Sequence, residues 1–131
     1  MGRTILSIII GVVLANALIL GIEALGHMIF PLPDDIASVE DLSAYVMSAP
    51  PQVLLFPLLA YAIGAFLGAW ACTIVNQTRD WWPGVTVGGV VLLGVIANIG
   101  SVDHPLWFSI LAILLPLPLA YLGSTRMKKK G

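Results

Sequence analysis

The sequence predicts an all-α protein, an antiparallel four-helix transmembrane bundle with a short extracytoplasmic surface helix. Three observations carry this. Four apolar stretches, about 5–27, 53–75, 82–101 and 105–123, are separated by polar turns. Each is near the length of about 20 apolar residues that a spanning helix needs. The 131 residues are 59% hydrophobic and 10% charged, with a mean hydropathy of +0.99. A soluble domain is about 45–50% apolar and about 25% charged, so this chain does not belong in water. All six basic residues (Arg3, Arg79, Arg126, Lys128, Lys129, Lys130) fall before the first span, between the second and third, or after the fourth. In a four-span chain these places share one side. The positive-inside rule then puts both termini in the cytoplasm. The chain reads as one integral membrane domain, 1–131.

The first span, 5–27, follows Arg3, as a signal peptide would. The apolar run is long for such a peptide and no A-x-A-like cleavage site follows, so a retained helix is expected. Asn16 lies near its middle, where a buried amide is expected to hydrogen-bond to another helix. Glu23-Ala-Leu-Gly-His27 ends it, and residues four apart share a helix face. Pro31 and Pro33 stop the helix.

The extracytoplasmic stretch 31–51 carries Asp34, Asp35, Glu40 and Asp41 and closes on Pro50-Pro51. Ser38 followed by Asp41 is a loose capping box. Val39, Leu42, Val46 and Met47 have helical spacing, which suits a short amphipathic helix at the membrane surface or across the bundle mouth, with an irregular loop as an equal alternative.

The second span, 53–75, contains Pro57 near its start. Ala60, Gly64, Gly68 and Cys72 recur every four residues, a ladder that lets another helix approach closely in lipid. Packing inside the bundle is the expected use, and a seam between copies is the alternative. Cys72, the only cysteine, reads as a small core residue. In the following turn Asp80 is the expected N-cap and Pro83 suits the first helical turn. Trp81 and Trp82 belong at an interface belt. The third span, 82–101, offers a thin face at Gly84 and Gly88 and ends near Asn98. Asp103-His104-Pro105 forms the next turn. The fourth span, 105–123, contains Pro116 and Pro118, which must kink or loosen it.

Chemistry concentrates in one place. The end of the first span and the start of the fourth lie on the same side, and in up-down bundles these helices are commonly neighbours. Glu23, His27, Asn98, Asp103 and His104 are therefore expected to converge, with Asn16 as a further polar group along the span. Three uses stay open. The cluster is a hydrogen-bonded knot, with Asp103 or His104 capping the fourth helix. Or it handles protons or a substrate, because an ionisable group in lipid is a functional candidate by default. Or His27, His104, Glu23 and Asp103 hold a divalent metal such as Zn or Fe, which two imidazoles and carboxylates suit. The spacing is not the Glu-x-x-His of di-iron bundles.

No nucleophile motif, phosphate loop or nucleotide fingerprint is present, so no soluble cofactor is expected. The net charge of −1 and the lack of a basic patch give no reason to expect nucleic acid. The expected partners are membrane lipids and further copies of the chain, since so small a bundle has few walls to enclose a pathway. Two function classes follow: a non-enzymatic, oligomer-forming component or small-solute or ion pathway, and a small metal- or proton-using membrane enzyme built on the same cluster.

Glu23-Ala-Leu-Gly-His27 followed by Phe30-Pro31, together with His104-Pro-Leu-Trp-Phe108, resembles small four-span bacterial membrane proteins of unassigned function. That resemblance covers nearly the whole chain and implies the bacterial cytoplasmic membrane, but no activity. Length and span count are also similar to the small multidrug resistance exporters. Those carry a carboxylate mid-span in the first helix, where this chain has Asn16, with Glu23 displaced outward. The fluoride channels are similar in size, but their polar and phenylalanine motifs are not evident here.

Overall fold

Six α-helices form in chain order in the computed structural model, which describes residues 2–31, 33–77 and 80–126: α1 Gly2–Ile29, α2 Val39–Ser48, α3 Pro51–Asn76, α4 Trp82–Ser101, α5 Leu106–Leu114 and α6 Pro116–Arg126. No strand occurs among the described residues. Four helical stretches are long and apolar enough to cross a membrane: α1, α3, α4, and α5 with α6 taken together over Leu106–Thr125. Their outward faces carry exposed Ile5, Ile9, Val13, Leu20, Leu59, Leu93 and Leu114, as lipid-facing helices require. The chain is thus an all-α, multi-pass membrane bundle.

The first and fourth spans are not the neighbours that up-down topology suggests. α1 packs on α3 and, more lightly, on α4; α6 packs on the same two helices from the other side. α3 and α4 touch along the middle, leaving α1 and α6 at opposite corners. The reason lies in the small residues, which α3 turns toward α1 and which α4 and α6 carry on the other side. A Cβ on Gly68 would meet the Gly11 carbonyl of α1 at 2.7 Å, and one on Gly64 would meet the Ala15 carbonyl at 3.0 Å. On the other side, a Cβ on Gly123 of α6 would run into the Phe66 carbonyl. Gly84 and Gly88 of α4 face Ser124 and Ala120 of α6 in the same way. The ladder of Ala60, Gly64 and Gly68 serves packing inside the bundle, where close backbone approach replaces the hydrophobic drive that lipid does not supply.

Helix ends follow local chemistry with some departures. Pro50 and Pro51 open α3, two residues earlier than expected, so Pro57 sits in its second turn rather than its first. α4 is capped at Trp81 without a side-chain bond, and its first closing hydrogen bond runs from Val85 N–H to the Trp81 carbonyl at 3.2 Å. Asp80 lies upstream and exposed, not at the cap. Pro83 has no N–H, so the turn closes only from later residues. The fourth span breaks at Leu115 between α5 and α6. Pro116 and Pro118 cannot donate to Ala112 and Leu114, and the helix axis yields there.

α2 crosses the end of the bundle. Ser38 accepts from the Asp41 N–H at 3.2 Å, and the Asp41 carboxylate accepts from the Ala37 N–H at 3.1 Å. These reciprocal bonds complete the expected capping box one residue early. The inward face is Leu42, Tyr45 and Val46. Val39 and Met47, expected on that face, are 59% and 53% exposed. The helix is turned so that Tyr45 replaces them. None of its residues is buried.

Candidate functional site

The end of the bundle under α2 is not filled. A cavity of about 220 Å3 opens there, walled by Phe30, Phe56, Tyr45 and aliphatic side chains, with Glu23, His27, Asn98 and His104 supplying its polar groups. Three elements position these groups. The late turns of α1 place Glu23 and His27 on one face, and the two interact electrostatically. The last turn of α4 supplies Asn98. The turn before α5 supplies His104. Phe30 meets Phe56 edge-on at 5.9 Å and ties the end of α1 to α3. Gly26 lets that approach happen, since a Cβ there would lie 2.8 Å from the Cβ of Phe56.

Two polar groups are already committed to the protein. Asn98 Nδ2 donates to the Tyr61 hydroxyl at 3.0 Å, a bond from α4 to α3. His104 Nδ1 donates to the Val102 carbonyl at 2.6 Å, which leaves Nε2 with a lone pair in the neutral ring. The imidazole also stacks on Phe108 at 4.8 Å and 13°, and Phe108 is fully buried. Burial pushes the His104 imidazole below its ordinary value of 6.5, outweighing the opposite pulls of the Val102 carbonyl and of Asp103. His104 does not cap α5, whose cap position is Pro105.

Glu23 is different. It is half-buried, and among the described residues its carboxylate has no hydrogen-bond or salt-bridge partner. It also lines a second hollow of about 200 Å3 between α1 and α4, with Asn16, Ile19, Tyr61, Gly94 and Asn98. Glu23 and Asn98 thus link the cavity under α2 to a groove between α1 and α4.

The remaining candidates separate. Asp103 is not on the cavity wall. It is exposed, its N–H donates to Ser43 Oγ of α2 at 3.0 Å, and it lines a shallow hollow on the far side of that helix with Glu40 and Ser101. Asn16 does not bond across to another helix. Its Nδ2 donates to the Val12 carbonyl of its own helix at 3.0 Å. Among the described residues no group of three or more His, Cys, Asp or Glu is placed to hold a metal ion. Cys72 is buried with its thiol 3.5 Å from Ser7 Oγ.

Tyr61 is the site residue that sequence reasoning missed. It is 5% exposed. A signal existed, since a tyrosine within a span must find a partner for its hydroxyl. It also sits one turn beyond Pro57 and lines the hollow between α1 and α4. The aromatic wall of Phe30, Tyr45 and Phe56 carried no such signal, because those residues are as consistent with lipid contact.

Fold and site together define a multi-pass membrane bundle with a polar-lined cavity at one end. No family, curated protein or solved structure matched this chain in the comparisons made.

Proposed function

We propose that the chain is a non-enzymatic small-solute-binding membrane protein whose cavity under α2 receives the solute, with the α1–α4 groove as its continuation into the membrane. The observation that carries this is the unpaired, half-buried carboxylate of Glu23, shared by the cavity and the groove. An ionisable group at membrane depth without a hydrogen bond or salt bridge is costly to keep for structure alone. The protein lies in a bacterial cytoplasmic membrane with both termini inside, as the placement of its basic residues supports. The cavity then opens to the outside, and several copies assemble to wall the groove.

Uptake into proteoliposomes tests the proposal. Radiolabelled butylammonium, glycerol and acetate are offered to vesicles with and without protein. Saturable, protein-dependent uptake of one of them, reduced in Glu23→Gln, is the expected result. Uptake of all three at the protein-free rate, or uptake indifferent to Glu23→Gln, overturns it.

A further inference from the structure

The cavity under α2 carries three acceptors, beside the imidazole of His27 and the hydroxyl of Tyr45. Glu23 is acceptor-only when ionised. Asn98 gives an Nδ2 hydrogen to Tyr61, leaving Oδ1 free to accept. His104 gives its Nδ1 hydrogen to Val102, leaving the Nε2 lone pair. Side chains from α1, α4 and the turn before α5 thus bring three acceptors to one cavity. A small group with three donors and a positive charge matches them, and a primary ammonium is that group. The rest of the wall, Phe30, Phe56, Val53 and Leu54 among it, suits a short apolar arm, and aromatic faces favour a nearby cation. The volume of about 220 Å3 lies below the roughly 300–1,000 Å3 of drug-sized pockets, so the ligand is small.

The approach to the cavity has the matching sign. Asp34, Asp35, Glu40, Asp41 and Asp103 all lie at this end, and no Lys or Arg occurs anywhere between Arg3 and Arg79 or between Arg79 and Arg126. A mouth lined by one sign of charge raises the local concentration of the opposite ion.

We infer that the cavity under α2 is a binding site for small primary amines, which place their ammonium among Glu23, Asn98 Oδ1 and His104 Nε2 and their apolar arm against Phe30 and Phe56. This rests on the solute-binding reading above and names the class of solute.

Calorimetric titration of the full chain in lipid nanodiscs tests it with four probes: butylammonium, butyltrimethylammonium, 1-butanol and butyrate. Butylammonium is expected to bind about tenfold or more tightly than each of the others, the worth of about 1.4 kcal/mol of charge and donor recognition. Glu23→Gln weakens butylammonium by a similar factor. His104→Phe keeps the ring stack on Phe108 but removes one acceptor. It narrows the preference for the primary over the trimethylated amine, which a merely structural role would not do. Equal binding of the two amines, or unaltered amine binding in Glu23→Gln, overturns the amine assignment. Glu23-dependent binding of 1-butanol or butyrate in preference to the amines overturns the assignment while leaving the solute-binding reading standing. Heat signals for all four probes no larger than in empty nanodiscs overturn both.

Discussion

The α1–α3 pair is closed at one end and open at the other. At the Arg3 end, Gly11 and Ala15 face Gly64, Gly68 and Cys72, and the backbones nearly touch. The polar side chains in the first turns of α1 are paired within the protein. The Arg3 guanidinium donates to the Val75 carbonyl at 2.8 Å, Thr4 donates to Asn76 Oδ1 at 3.1 Å, and Ser7 donates to the Thr4 carbonyl at 2.7 Å. At the His27 end the same two helices carry Phe30, Phe56 and Pro57, and a cavity remains around an unpaired Glu23. Side-chain size decides between the two outcomes. Glycine and alanine let helices meet backbone to backbone, while rings hold them apart and leave room. Stability is built at one end so that the other can stay unfilled.

The largest expected effect comes from breaking the closed end. Gly68→Ala places a Cβ 2.7 Å from the Gly11 carbonyl and 2.9 Å from the Ala15 Cβ. Neither neighbour is the tip of a flexible chain, so the helices must part, at a cost of about 1–3 kcal/mol. Gly21→Ala, on an exposed face of α1, meets nothing within 4 Å and is expected to stabilise by about 0.5–1 kcal/mol. Thermal unfolding in detergent reads both, and equal effects would remove the packing argument. The next effect is a gain. Gln77 ends α3 with φ of 58°, a left-handed conformation that costs a residue with a Cβ about 1–2 kcal/mol. Gln77→Gly should raise stability by about 1 kcal/mol, less the entropy that glycine adds to the unfolded chain. A lower melting temperature would contradict it.

How much of this was readable in advance differs between the two ends. The closed end announced itself, because Ala60, Gly64, Gly68 and Cys72 repeat at helical spacing and small residues in a span have few uses. The span positions were equally legible from the apolar runs and prolines. The arrangement of the spans was not. Which helix receives which face depends on small residues of α3 on one side and of α4 and α6 on the other, and a linear sequence does not say which partner each set chooses. At the open end, Glu23 and His27 could be placed together because they share a helix. Their meeting with Asn98 and His104 held although α1 and the fourth span lie at opposite corners, since α4 and the turn before α5 bring those residues over. Asp103 could not be separated from His104 by sequence, because adjacent residues in a turn point in different directions.

Smaller effects sharpen the picture of the open end. The bond from Asn98 to Tyr61 should be worth about 0.6 kcal/mol and no more than about 1.7, the range for hydrogen bonds between membrane helices. A double-mutant cycle of Tyr61→Phe with Asn98→Leu measures it, and a coupling near zero would mean the two side chains do not hold α3 to α4. The smallest effect is a pH dependence. The His104 imidazole is held below its ordinary value of 6.5 in the fold. The unfolded chain therefore takes up the proton first, and stability present above pH 6.5 is lost as the pH falls below it. Comparing the native chain with His104→Phe isolates the imidazole from the other groups of the chain. Identical pH profiles for the two would contradict the burial of His104.

The contrast between the ends can be read with a single reactive thiol. In a Cys72→Ser background, which removes the only cysteine, His27→Cys and Ser7→Cys are each treated with a membrane-impermeant maleimide in the purified protein. The fold predicts fast labelling of the thiol at position 27, slowed when butylammonium occupies the cavity, and no labelling at position 7, which is fully buried. Equal labelling of the two, or a thiol at position 27 that never reacts, would contradict an open, solute-receiving end set against a sealed one.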